Sequence, residues 1–135
     1  FNMKLTSIKP IQSDLGLLII RIGFGGLMAF SHGYRKLQYF DDIAPDFYDF
    51  LGLGMKTSLV LAIMAELLGA VFLVLGLFTR PALFLLIVTM AVAVFDVHGG
   101  DPISDSEHAL LFLVAYIGLF FTGPGKLSID AKLKM

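Results

Sequence analysis

Residues 58–78 read SLVLAIMAELLGAVFLVLGLF, an apolar run interrupted by a single charge, Glu66. About 20 such residues in a helix cross the roughly 30 Å hydrocarbon core of a bilayer. Three more runs of this kind flank it, at 15–31, 81–97 and 107–122. Ser13 and Asp14 are candidate caps for the first, and Pro81 suits the opening turn of the third. Gly123-Pro124-Gly125 stops the fourth. The fourth run is short, so its Glu107 end is expected inside protein rather than lipid. Only Thr79-Arg80 separates the second run from the third, which makes those helices antiparallel neighbours. The expected fold is therefore an all-α membrane protein: one domain over 1–135, an up-down bundle of four transmembrane helices.

Composition agrees. Of the 135 residues, 57% are apolar and 16% are charged, with a mean hydropathy of +0.85. Soluble domains run near 45–50% apolar and 25% charged, and a soluble chain of this size could not cover so much apolar surface. There is no cysteine, which excludes disulfides, thiolate metal sites and Cys-x-x-Cys redox chemistry. A net charge of −1 gives no footprint for nucleic acid. The first run carries Arg21 and ends at Ser31-His32-Gly33 without a small-residue cleavage pattern, so it reads as a retained helix.

Lys and Arg set the expected orientation. With four spans, the N-terminus, the 78–80 turn and the C-terminus share a side. That side holds Lys4, Lys9, Arg80, Lys126, Lys132 and Lys134, against Arg35, Lys36 and Lys56 opposite. Both termini of this multi-pass protein are expected in the cytoplasm. The 33–57 connection is the one long loop, rich in Tyr and Phe. Phe47, Phe50 and Leu51 follow Pro45-Asp46 at helical spacing, which predicts a short interfacial helix there. An aromatic belt at the headgroups explains those rings blandly; a lid over the outer end of the bundle is the functional reading.

Two ionisable groups lie within spans, where such residues are costly and usually face the bundle interior. Arg21 shares a helical stripe with Gly25, Met28 and His32. Glu66 sits among Ala62, Gly69, Ala70 and Leu73, a small-residue face suited to helix contact. Arg21 is the basic side chain within a span, so an Arg21–Glu66 pair is expected; it would either fix helix register or form part of a ligand or proton site. Topology gathers a second polar set at the outer ends: His32, Asp96, His98, Glu107 and His108. These are ordinary interfacial polarity, a ligand or proton site, or a metal site. Metal is the weakest of the three, with no Cys and no His-Glu-x-x-His spacing.

The chain resembles DoxX-type membrane proteins over almost its full length. The first run has Arg21, then Phe30-Ser31-His32-Gly33 and Lys36. The second has Glu66-Leu67-Leu68-Gly69 and Leu75-Gly76-Leu77-Phe78-Thr79-Arg80. The third ends in His98 after small residues such as Ala91 and Ala93. The fourth opens with Glu107 and closes with Gly123-Pro124-Gly125-Lys126-Leu127-Ser128-Ile129-Asp130. The resemblance implies a four-helix bundle in the cytoplasmic membrane, in a family whose members include small subunits of quinone-linked oxidoreductases and components of oxidative-stress or assembly complexes. It carries over the polar positions Arg21, His32, Lys36, Glu66, Arg80, His98 and Glu107.

The leading expectation is a membrane subunit that binds a quinone or another lipophilic ligand. Glu66, His98 and Glu107 would exchange protons, and Arg21, His32, Lys36 and Arg80 would hold the ligand. No haem or flavin signature is present, so redox chemistry would need a quinone or a partner subunit. The alternatives are a non-catalytic scaffold or assembly subunit and a small-solute transporter. Membrane lipid is an expected partner, with a redox or assembly subunit and a second copy of the chain as further candidates; small residues such as Ala65 and Gly69 suit helix contact.

Overall fold

The computed structural model describes residues 5–97 and 103–134; His98 lies outside this set. Every regular element among the described residues is helical. Four long helices dominate. The first, Ser13–Gln38, and the second, Met55–Leu75, are long and apolar enough to cross a membrane. The third, Thr79–Ala91, continues as a π-type turn over Val92–Val97, and the fourth is Ile103–Thr122. Short helices at Phe40–Ile43 and Ile129–Lys132 and a 3-10 turn at Ala44–Asp46 complete the set.

The four long helices share one core. Met28 and Ala29 from the first meet Ala70 and Leu73 from the second, Leu83 and Leu86 from the third, and Phe112 and Tyr116 from the fourth. Small residues bring the helices close. A Cβ on Gly25 would lie 2.7 Å from Val74 Cγ2, and one on Gly33 would lie 3.0 Å from the backbone nitrogen of Leu67. Outward, Phe30, Phe84, Phe95 and Phe121 are exposed, a surface matched to hydrocarbon rather than water.

Several boundaries differ from the sequence reading, each for a local reason. The first helix does not end near Ser31. It widens into a π-type turn over Met28–Tyr34 and continues through Arg35–Gln38. Buried positions therefore run Arg21, Gly25, Met28, Ala29 and Gly33, and His32 turns to the edge of the core. A π turn inserts a residue into the helical repeat and often marks a functional position. Neither Ser13 nor Asp14 caps this helix; Gln12 stands at its N-cap, and Asp14 accepts a hydrogen bond from the Lys126 N–H at 3.0 Å.

The second helix stops earlier than expected, at Gly76. This residue adopts φ 67°, ψ 34°, and the Gly76 N–H donates to Leu73 O while the Leu77 N–H donates to Phe72 O. That is a Schellman closure, which favours glycine at the left-handed position. Thr79-Arg80 is thus the opening of the third helix, and the turn itself is 76–78.

The helix expected after Pro45 is absent, and the one that forms precedes it. The Phe50 N–H donates to Ser58 Oγ at 2.8 Å, and Asp49 Oδ1 accepts from the Gly54 N–H at 2.8 Å. These side chains satisfy the backbone that a helix there would have used. Ala44 instead packs with Leu59 and Ile63 of the second helix, with Phe40, Ile43 and Phe47 around it.

Candidate functional site

Two polar centres sit on the helical frame, and the residues expected to pair are split between them. The first is at the 76–78 turn. Arg21 is fully buried, and its guanidinium donates to the carbonyls of Leu73 (3.4 Å), Val74 (3.5 Å) and Leu127. Leu73 and Val74 are among the last residues of the second helix, whose carbonyls have no partner within the helix and carry the negative end of its dipole. Arg21 therefore caps that helix from its neighbour.

The segment after Gly123 closes over the same turn. Asp130 Oδ1 accepts from the Phe78 N–H at 2.8 Å; its Oδ2 accepts from the Thr79 N–H at 2.8 Å and from Thr79 Oγ1 at 2.6 Å. The Asp130 N–H in turn donates to Gly76 O at 2.8 Å. Asp130 thus supplies the N-cap of the third helix, and Ser128 caps its own short helix by accepting from the Ala131 N–H. Burial pushes the Asp130 carboxyl up, but the three hydrogen bonds and the nearby Arg21 outweigh it and hold the group below the usual carboxylate range. Gly76 has no room for a side chain here: a Cβ would lie 2.4 Å from Ser128 Cβ and closer still to the Arg21 guanidinium. Arg80 extends the seam, its Nε donating to Phe120 O at 3.0 Å.

The second centre lies toward the other end of the first helix. Lys36 Nζ is 2.6 Å from Glu66 Oε1. This overturns the expected Arg21–Glu66 pair. The carbonyls that hold Arg21 lie seven and eight residues beyond Glu66, roughly 11 Å further along the second helix at 1.5 Å per residue. Lys36 meets Glu66 because the first helix runs on past its π turn. Glu66 is almost fully buried, whereas the Lys36 side chain is 23% exposed, so the pair reaches the surface through the lysine. Glu66 Oε2 is buried and has no hydrogen-bond partner among the described residues.

An aromatic ring covers the lysine of this pair. The Phe47 ring centroid is 5.7 Å from Lys36 Nζ, so the 44–53 segment reaches over the ammonium. His32, half-buried, stacks edge-on against Phe112 at 5.3 Å and lies within electrostatic reach of Lys36 and His108. Tyr116 is fully buried, and its hydroxyl donates to Phe24 O at 3.1 Å. Glu107 is exposed and stands apart, at the rim of an apolar groove of about 460 Å³ that Phe24, Leu110, Leu111, Val114 and Ala115 also line.

Of the residues singled out in the sequence, the structure thus gathers His32, Lys36 and Glu66. It places Arg21 and Arg80 on backbone carbonyls at the other centre and Glu107 on an outer groove; His98 and the side chain of Asp96 lie outside the description. Among the described residues no three His, Asp or Glu side chains come together as a metal site. Sequence reasoning gave no role to Asp130, Thr79 or Tyr116. The first two carried a signal, a Ser-x-Asp after the Gly-Pro-Gly stop and a Thr after a glycine turn. Tyr116 carried one as well, a hydroxyl within the otherwise apolar run 109–121.

The chain is 38% identical to an uncharacterised protein of Haemophilus influenzae over 81 residues, 55% of this chain and 60% of that one. It is 30% identical to the Bacillus subtilis protein named "Putative oxidoreductase CatD", covering 87% of this chain and 86% of the relative. It is also 30% identical to the Escherichia coli "Inner membrane protein YphA", covering 86% and 89%. No solved structure matches the chain. The model of the DoxX family matches residues 16–99, which takes in Arg21, the π turn, Lys36, Glu66 and the Gly76 turn, and the chain is a membrane protein of the DoxX family.

Proposed function

We propose that this protein is a multi-pass subunit of the inner membrane that binds a quinone-type lipophilic ligand at the Lys36–Glu66 centre, in a quinone-linked oxidoreductase system. In this reading all four long helices cross the bilayer and both termini face the cytoplasm. The 76–78 turn and the 123–134 segment lie at the cytoplasmic end, and Lys36, His32 and Phe47 lie at the outer end. One observation carries the ligand reading: Glu66, a buried carboxylate in the most apolar stretch of the chain, is paired through one oxygen and unpartnered at the other among the described residues. A buried acceptor left unmade costs about 1–3 kcal/mol, and intramembrane ionisable groups usually face a ligand or proton path. An apolar setting with a few polar anchors is what a quinone ring requires. A relative's name, putative oxidoreductase, points the same way.

In this reading Lys36 holds an oxygen of the ligand, His32 and Glu66 exchange its protons, and Phe47 closes over the ring. Arg21, Asp130 and Arg80 build the frame and do not touch the ligand. Gentle extraction from the native membrane, followed by mass spectrometry of the intact protein, tests this. A stoichiometric quinone lost on Lys36→Met supports it. A partner subunit that co-purifies with no small molecule would instead favour a non-catalytic scaffold.

A further inference from the structure

The two oxygens of Glu66 are not equivalent, and the difference specifies what the site takes. Oε1 lies 2.6 Å from Lys36 Nζ. Oε2 is buried, with no partner among the described residues. A carboxylate oxygen can only accept, so whatever completes Oε2 must bring an O–H or N–H. The buried Tyr116 hydroxyl, within electrostatic reach of Glu66, does not serve, because it donates to Phe24 O. Lys36 is the complementary half: an ammonium has three donors, and Glu66 occupies one. The site therefore offers an acceptor and a donor side by side, with the lysine on the exposed side.

A quinone presents only carbonyl oxygens. Against Oε2 its lone pairs would face another pair of lone pairs in a desolvated setting, where such a mismatch is heavily penalised. The corresponding hydroquinone presents a hydroxyl, which donates to Oε2 and still accepts from Lys36. Resting on the reading above, we infer that the Lys36–Glu66 centre selects the reduced, hydroxyl-bearing form of its ligand, with a phenolic O–H donating to Glu66 Oε2. A hydrogen bond to a charged group, present for one form and absent for the other, sets the preference at about tenfold or more. Tighter binding of the reduced form raises the two-electron midpoint potential of the bound ligand, by about 30 mV for each tenfold.

The test uses the full chain in lipid nanodiscs, under anaerobic conditions, with three probes titrated by calorimetry: ubiquinone-1, ubiquinol-1 and the dimethyl ether of ubiquinol-1. The expected result is ubiquinol-1 bound at least about tenfold more tightly than ubiquinone-1, with the ether, which lacks the O–H, no better than the quinone. Glu66→Gln should reverse the order, because a carboxamide can turn its oxygen to Lys36 and donate from nitrogen to a quinone carbonyl. Equal affinities, a preference for the oxidised form in the unmodified protein, or an ether that binds as well as ubiquinol-1 would overturn this inference and leave the quinone-type site standing. Failure of all three probes to bind would overturn both. The comparison of probes needs no variant, so it stands even if Glu66→Gln fails to fold.

Discussion

Asp130→Asn tests the turn end of the molecule most sharply. The carboxylate receives three hydrogen bonds, from the Phe78 N–H, the Thr79 N–H and the Thr79 hydroxyl. A carboxamide is nearly the same size but has one acceptor oxygen. If that oxygen stays toward Thr79, an NH₂ faces the Phe78 N–H; if it turns to Phe78, the NH₂ faces Thr79. At least one bond to a charged acceptor is lost and one donor meets another, a cost of about 2–4 kcal/mol. On the scaling for a chain of this size, about 3 °C per kcal/mol, the melting point should fall by about 6–12 °C. The assay is thermal unfolding in detergent followed by a tertiary readout such as protease sensitivity at 123–134, because helices persist after packing is lost. The pH dependence has a definite sign. The folded carboxyl lies below its ordinary value. Its contribution is therefore present above the unfolded value of about 3.9 and is lost as pH falls through the folded one. Asp130→Asn should remove that acid dependence. A melting point within about 1 °C of the parent, or an unchanged acid limb, would refute the capping argument.

Three further outcomes follow from the packing and the topology. Gly33→Ala should cost about 1–3 kcal/mol, because its Cβ meets Leu67 backbone at 3.0–3.1 Å, whereas Gly23→Ala, with nothing within 4 Å, should be neutral or stabilising by up to about 1 kcal/mol; melting of the two variants side by side decides. Lys36→Met should destabilise by about 3–5 kcal/mol by stranding a buried carboxylate, and adding Glu66→Gln should recover most of the loss in a double-mutant cycle. Since the chain has no cysteine, single cysteines at Lys132 and Tyr48 can report topology with an impermeant thiol reagent: Tyr48→Cys should label from outside intact spheroplasts and Lys132→Cys only after lysis, and labelling of both from one side would contradict the four-span reading.

Much of the frame was legible in the sequence because it is written in apolar runs and helix stops. Gly123 ends the fourth helix as its Gly-Pro-Gly predicts, and Pro81 lies in the first turn of the third. Long-range partners were not legible. Arg21 and Glu66 looked complementary because each was an isolated charge in an apolar run, and periodicity gives a face but not a height against the neighbouring helix. A π turn has no sequence signature of its own, so neither the extension of the first helix to Gln38 nor the reach of Lys36 to Glu66 could be foreseen. Asp130 carried a Ser-x-Asp pattern, but its partners were not legible: they are the N–H groups of Phe78 and Thr79, 52 and 51 residues away, and no local pattern names a partner at that distance.

The most direct test of the central claim is photoaffinity labelling with an azido-quinone in native membranes, with the crosslinked peptides mapped by mass spectrometry. The account predicts adducts at 28–36, 63–70 or 108–116, around His32, Glu66 and Phe112, displaced by excess ubiquinol-1 and lost in Lys36→Met. Labelling confined to 73–80 and 123–134, around Arg21 and Asp130, or adducts that no quinol displaces, would contradict it.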